Sequence, residues 1–282
     1  MFEALQYDFM QNALAAGLLV SVICGVMGTL VVVNRIVFLS GGIAHAAYGG
    51  IGLAYFMGWP YLIGTIGFSL ASAMAMGVVT LKARHRADTA IGVLWAVGMA
   101  LGIILLDLTP GYNVDLMSYL FGSILTVPVA DLWVMLAVAL VLIVVVAYYY
   151  NDYVAMSYDN EFARIRGVPV RFLYFLLLGL LAVSIVMIIQ VVGLILVIAL
   201  LTIPPCIAEK YAGTFSGMMV YSCLLSMIFT VTGLSLSYVL NLTSGATSIL
   251  VAGIGFLISI MADHLVLKIK NRRSVENSES ID

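Results

Sequence analysis

The sequence predicts an all-α fold, a polytopic bundle of about eight or nine transmembrane helices with one short re-entrant or interfacial segment. Three observations carry this. Of the 282 residues, 63% are hydrophobic and 9% are charged. A soluble domain is about 45–50% apolar and about 25% charged, so this chain lacks the charge to cover a water-facing surface. The apolar residues also fall into long runs, most of them near the ~20 residues that a helix needs to cross the hydrocarbon core. Finally, all twelve Lys and Arg residues are gathered between or beyond those runs. Such a composition leaves no room for a soluble catalytic domain, and it makes membrane lipid, with no nucleic acid, the expected surroundings.

Taken in order, the runs place helices at 14–33, 36–57, 61–81, 89–106, 129–150, 172–189, 192–207, 215–240 and 247–267. The leading MFEALQYD has Glu3 and Asp8 but no basic residue, unlike the positive start of a cleavable signal, so the first run is read as a retained span. Arg35 separates the first two helices. Lys82, Arg84 and Arg86 separate the third and fourth, where Asp88 is placed to cap the next helix. Residues 117–127 lie between Pro110-Gly111 and Pro128; at 11 residues they are too short to span and read as re-entrant or interfacial. Arg164, Arg166 and Arg171 follow the fifth helix, Lys210 the seventh, and Lys268, Lys270, Arg272 and Arg273 the ninth. With nine crossings every basic cluster lies on one side, the cytoplasmic side by the positive-inside rule, while Glu3, Asp8, Asp107, Asp115 and Asp131 face outward. The N-terminus is then outside and the C-terminus inside a multi-pass cell-membrane protein. The seventh run is short and ends in Pro204-Pro205, which predicts a broken or tilted helix. Residues 1–270 are read as one transmembrane domain and polar 271–282 as a disordered cytoplasmic tail. Cys24, Cys206 and Cys223 have no pairing or CxxC spacing and read as small hydrophobes.

The longest cytoplasmic connection, 151–171, contains SYDNEFARIRGVPV. Its Glu161-Phe162-Ala163 followed by Gly167 suits one or two helical turns closed by a glycine C-cap. A helix of that kind either docks on a soluble partner or remains solvated.

Five segments in this order resemble one family over residues 12 to about 265: VVVNRIVFLSGGIAHAAYGGIGLAY, DTAIGVLWAVGMALG, MSYLFGSIL, DNEFARIRGV and VGLILVIALLTIPPCIAE. The family is the permease subunits of bacterial and archaeal ABC transporters for divalent transition metals, taking up zinc, manganese or iron. The resemblance implies a homodimer of ABC importer permease fold, two cytoplasmic ATPase subunits and an extracytoplasmic metal-binding protein. It implies that Glu161, Ala163 and Gly167 couple the permease to the ATPase. The chain has no G-x-x-x-x-G-K-[ST] phosphate loop, so the resemblance assigns ATP hydrolysis to that partner and makes this chain a transport subunit, not an enzyme.

Ionisable groups inside a bilayer are costly, which makes His45 the principal candidate for a metal path. It lies about ten residues, or ~14 Å, into the second helix, near the midplane. Gly41, Gly42, Gly49 and Gly50 surround it and allow close helix packing or room for an ion. Spacing alone leaves a structural, hydrogen-bonded histidine as the alternative. With the resemblance, His45 is read as a transient ligand for zinc, manganese or iron. Many family members have an Asp four residues earlier; here that position is Gly41. Gln190 either lines the path or meets water at a helix end, and Glu209 either lines a gate or is an ordinary interfacial charge. Asp263 and His264 are adjacent and therefore face apart, and His85 is surrounded by cations; neither suits a metal. A secondary transporter is the alternative function class, and an embedded metalloenzyme would need ligand clusters such as HExxH that the sequence lacks.

Overall fold

The computed structural model describes residues 6–82, 86–110, 122 and 124–279, with side chains described through His264. Its helices are α1 (Asp8–Val33), α2 (Val37–Met57), α3 (Tyr61–Lys82), α4 (Ala87–Asp107), α5 (Val129–Tyr148), α6 (Tyr150–Tyr158), α7 (Asn160–Ile165), α8 (Val170–Val192), α9 (Leu194–Tyr211), α10 (Phe215–Leu240) and α11 (Ser244–Glu279). A short 3₁₀ turn, Ile124–Thr126, precedes α5. Nine of these helices, α1 to α5 and α8 to α11, are long and apolar enough to cross a membrane. Among the described residues there is no strand.

Two packing layers meet at α8 and α9. In the first, α2, α3 and α4 pack together and α3 leans on α8; in the second, α1, α9, α10 and α11 pack together. The first layer depends on missing side chains. Gly52 of α2 touches the Gly102 backbone of α4, and a Cβ on Gly98 would lie 3.2 Å from Ala46 Cα. A Cβ on Gly50 would lie 2.7 Å from Thr65 Cα of α3. Bare backbones meeting in this way give van der Waals contact that lipid cannot match, which is how spans associate without a hydrophobic driving force. Accordingly α2 has the lowest mean hydropathy of the nine spans, 1.3, and the highest buried share, 78%.

The helix break expected at Pro204-Pro205 does not occur. The helix α9 continues through both prolines, and the turn that separates it from α8 lies at Gly193, whose φ is +79°. Each proline lacks the N–H that would bond the carbonyl four residues back, so Leu200 and Leu201 lose an intrahelical donor. The helix tolerates this because α1 closes on it. A Cβ on Gly28 would lie 2.6 Å from the Leu201 oxygen and 2.7 Å from Pro205 Cγ. Gly28→Leu is therefore expected to destabilise the bundle by about 3 kcal/mol, the upper end of overpacking costs, because its neighbours are backbone and ring atoms with little freedom to move. A lowered melting temperature of the purified chain in detergent checks this.

The described basic residues between helices share one end of the bundle. There Asn34 donates to Ser157 Oγ at 2.9 Å, the Ser216 N–H donates to Tyr150 Oη at 3.1 Å, and Lys210 pairs with Asp263 at 2.7 Å. At the other end Asn12 donates to the Val127 carbonyl at 3.4 Å. Asp88 lies in the first turn of α4 rather than capping it; the N-cap is Arg86, with no side-chain bond. The carboxylate there still faces the positive end of the helix dipole. Of the 117–127 segment, 117–121 and 123 lie outside the described residues, as does His85. The backbone of α11 is helical to Glu279, in keeping with the high helix propensity of Lys, Arg and Glu.

Candidate translocation site

His45 occupies the middle of α2, half-buried, with its ring stacked on Trp95 of α4 at a centroid distance of 4.0 Å and an interplanar angle of 17°. Its Nδ1 is buried and has no hydrogen-bond partner among the described residues. An imidazole held structurally in apolar surroundings normally has its buried nitrogen satisfied, because an unmade bond there costs about 1–3 kcal/mol. This nitrogen is free to accept a proton or to ligate a cation.

The glycines around it do different things. Gly42 abuts Ile91 of α4 and Met76 of α3, at 2.6 and 3.2 Å from a built Cβ, and Gly49 lies 2.9 Å from the Gly98 carbonyl on the same measure. These, with Gly50, hold the helices close. Gly41 does not: among the described residues of other helices, a Cβ built there meets only Ile198 Cδ1 of α9 within 4 Å, at 3.9 Å. The expectation of close packing at Gly41 is therefore corrected, because that face of α2 borders α9 loosely and leaves room for a side chain. One turn separates positions 41 and 45, so this space lies on the same face as the imidazole. Beyond Trp95, α4 presents Val93, Val97, Leu101 and Ile104, each 41–57% exposed, as an uncovered apolar stripe.

Gln190 is half-buried at the far end of α8, where its Nε2 donates to Asp131 Oδ2 at 2.9 Å. It ties α8 to the first turn of α5, so its amide is engaged in a helix-to-helix bond. Immediately after it, Gly122, with φ of +72°, lies directly on the Val192-Gly193 backbone. Glu209 is exposed in the last turn of α9. The ionic contact at that end belongs to its neighbour Lys210, which also approaches Ser259 Oγ at 3.4 Å. Among the described residues no group of three or more His, Cys, Asp or Glu could hold a metal. One imidazole per chain is a weak, exchangeable ligand set, which suits passage better than storage.

At the basic end, α7 is built by its caps. Asp159 Oδ1 accepts from the Glu161 and Phe162 N–H groups, both at 2.9 Å. Ala163 is fully buried and seats the helix on the bundle. At the other end Gly167 has φ of +83°, its N–H donates to the Arg164 carbonyl, and Val168 N–H donates to the Ala163 carbonyl, both at 3.0 Å. This pair of bonds is the Schellman closure. The result is a rigid knob whose outer face shows Glu161, Phe162 and Ile165, the last 84% exposed, with Arg166 stacked over Phe162 at 5.4 Å. Behind it, Tyr153 of α6 is fully buried, and burial raises its hydroxyl above the usual tyrosine pKa, so it remains neutral.

Sequence reasoning missed three partners: Trp95 for His45, Asp131 for Gln190, and Asp263 for Lys210. Trp95 stands inside one of the quoted segments, but nothing in a single sequence gives the rotation of α4 against α2.

Residues 6–263 match the model of the ABC 3 transport family. The chain is 52% identical over 260 residues to an uncharacterised membrane protein of Synechocystis sp., covering 92% of each. It is 35% identical over 257 residues to the manganese transport system membrane protein MntC of Listeria monocytogenes, covering 91% of each. Its fold superposes on a chain of PsaBC from Streptococcus pneumoniae, solved with a Fab, with a TM-score of 0.84 at 31% identity, over 92% of this chain and 93% of that one.

Proposed function

The chain belongs to the ABC 3 transport family as a membrane-spanning permease subunit of a metal importer, and from that premise we propose that it forms, as a homodimer, the path by which manganese enters the cell. Zinc and iron are the other cargoes of the same chemistry. The observation that carries this reading is His45, a midspan imidazole with an unpaired buried Nδ1 beside the space at Gly41. Neutral imidazole binds divalent first-row metals, and manganese forms the weakest such complexes of the series, which suits an ion that must leave the site. In a homodimer each of the two chains would contribute one such imidazole to the translocation path.

The knob α7 is assigned to the cytoplasmic ATPase, with Glu161 and the exposed Phe162 and Ile165 as contacts. An external metal-binding protein would deliver the ion at the Gln190 end. The basic end is then cytoplasmic, with the C-terminus inside and the N-terminus outside. The test is uptake of radiolabelled manganese and zinc into cells lacking their own importers and supplied with the chain, its ATPase and its binding protein. Manganese accumulation that requires all three and ATP supports the reading; zinc accumulation alone reassigns the cargo, and accumulation independent of the ATPase overturns the mechanism.

A further inference from the structure

Two arginines at the basic end have no carboxylate partner among the described residues. Arg164, on the flank of α7, and Arg171, in the first turn of α8, line a cleft with Phe172, and the same two guanidiniums share a smaller cavity of about 120 Å³ with Asn34, Asn160 and Tyr174. Among the described residues no acidic side chain lines either space. The ion pair found among the described residues is elsewhere, between Lys210 and Asp263. At 100° per residue, with Ala163 facing inward, Arg164 lies on the opposite flank of α7 from Phe162 and Arg166, so the cleft is separate from the outer knob.

Further along α8 an apolar groove of about 490 Å³ lies between α3, α5 and α8. Phe172 lines the cleft, and Phe175, Leu176, Gly179, Leu180 and Val183 line the groove. Their spacing of three and four residues makes one continuous stripe along α8. The one hydroxyl in the groove, Ser184, donates to the Leu180 carbonyl at 2.7 Å, so no polar group there is left open. Measured from the start of α8, the stripe descends from ~7 to ~20 Å, about the depth of one leaflet of a ~30 Å core.

We propose that this is a binding site for an anionic phospholipid of the leaflet on the α7 side, its phosphodiester held by Arg164 and Arg171 and one acyl chain in the α3–α5–α8 groove. Guanidinium pairs match phosphate oxygens, the neighbouring amide of Asn160 adds a neutral donor, and the first turn of α8 adds positive potential. A cationic cleft and a dry groove on one face of α8 distinguish a lipid from a free phosphate ion, which would use the cleft and ignore the groove.

The experiment is native mass spectrometry of the full chain, purified in detergent and offered equal amounts of phosphatidylglycerol and phosphatidylcholine. The wild type is expected to retain phosphatidylglycerol with about a 25-fold preference, roughly fivefold for each arginine at an anionic surface. The double variant Arg164→Gln, Arg171→Gln should lose that preference, while Arg86→Gln, a basic residue outside the cleft, should keep it. Gly179→Trp, which fills the groove and leaves both arginines in place, should lower retention of both lipids. Equal retention of the two lipids by the wild type, an unchanged preference in the double variant, or full retention by Gly179→Trp would each overturn the proposal. So would displacement of phosphatidylglycerol by millimolar inorganic phosphate with a phosphate adduct left on the protein, which would assign the cleft to a free anion.

Discussion

Gly167→Pro is expected to abolish ATPase co-purification and metal uptake while the chain still inserts in the membrane. Proline fixes φ near −65°, whereas this residue stands at +83°, so the chain leaving α7 must turn another way. It also removes the N–H that donates to the Arg164 carbonyl and opens the Schellman closure. Together these cost on the order of 3 kcal/mol locally, enough to unseat a six-residue helix held by one buried alanine. Gly167→Asn separates conformation from bulk. Nothing lies within 4 Å of a Cβ built at Gly167, and asparagine tolerates left-handed backbone, so this variant should keep most ATPase binding. Glu161→Ala probes the contact itself, because the Glu161 side chain is exposed and the cap at Asp159 uses only its backbone N–H. The measurement is pull-down of the ATPase by the tagged permease, with the permease's gel-filtration profile as the control. Full co-purification by both Gly167→Pro and Glu161→Ala would remove α7 from the coupling interface.

The spans were legible because the bilayer imposes one rule on all of them: some twenty residues apolar enough to leave water. Where a boundary depended on something else, the reading drifted. The 129–150 run hides a change of direction at Tyr149, between α5 and α6, since both sides are apolar and aromatic. The break between α8 and α9 falls close to the 189/192 division of the runs, whereas the second break that Pro204-Pro205 suggested is absent; the Gly193 turn is closed by the close approach of Gly122, a contact between segments about seventy residues apart. The α7 knob, by contrast, was readable from Asp159 to Gly167, because caps are local chemistry. For the candidate site, glycine density pointed to α2 and ionisability pointed to His45. Which glycine packs and which leaves space could not be read. Gly41 and Gly42 are neighbours in sequence, yet one faces α9 loosely and the other is closed by Ile91 and Met76.

His45→Phe is expected to reduce manganese uptake at least about tenfold, equivalent to ~1.4 kcal/mol, with no loss of assembled permease. The argument rests on what phenylalanine keeps. Its ring can stack on Trp95 as the imidazole does, at 4.0 Å between centroids, so the α2–α4 contact survives and only the ligating nitrogen is lost. His45→Ala removes the ring and the stack together, and an equal loss in both variants places the effect on the nitrogen. Gly41→Asp works in the opposite direction. With Ile198 Cδ1, at 3.9 Å, the only atom of the described residues of other helices within 4 Å of a Cβ built there, a carboxylate fits one turn before the imidazole, on the same face. An imidazole and a carboxylate from each of two chains form a tighter oxygen and nitrogen set, so this variant should bind manganese more strongly and release it more slowly. Transport kinetics in proteoliposomes containing the ATPase, with the binding protein on the outer side, read both effects as KM and maximal rate. A lower KM and a lower maximal rate in Gly41→Asp, set beside the flat loss in His45→Phe, would put the ion between α2 and α9. Wild-type rates in His45→Phe would make the histidine a packing residue and leave metal selection to the external protein.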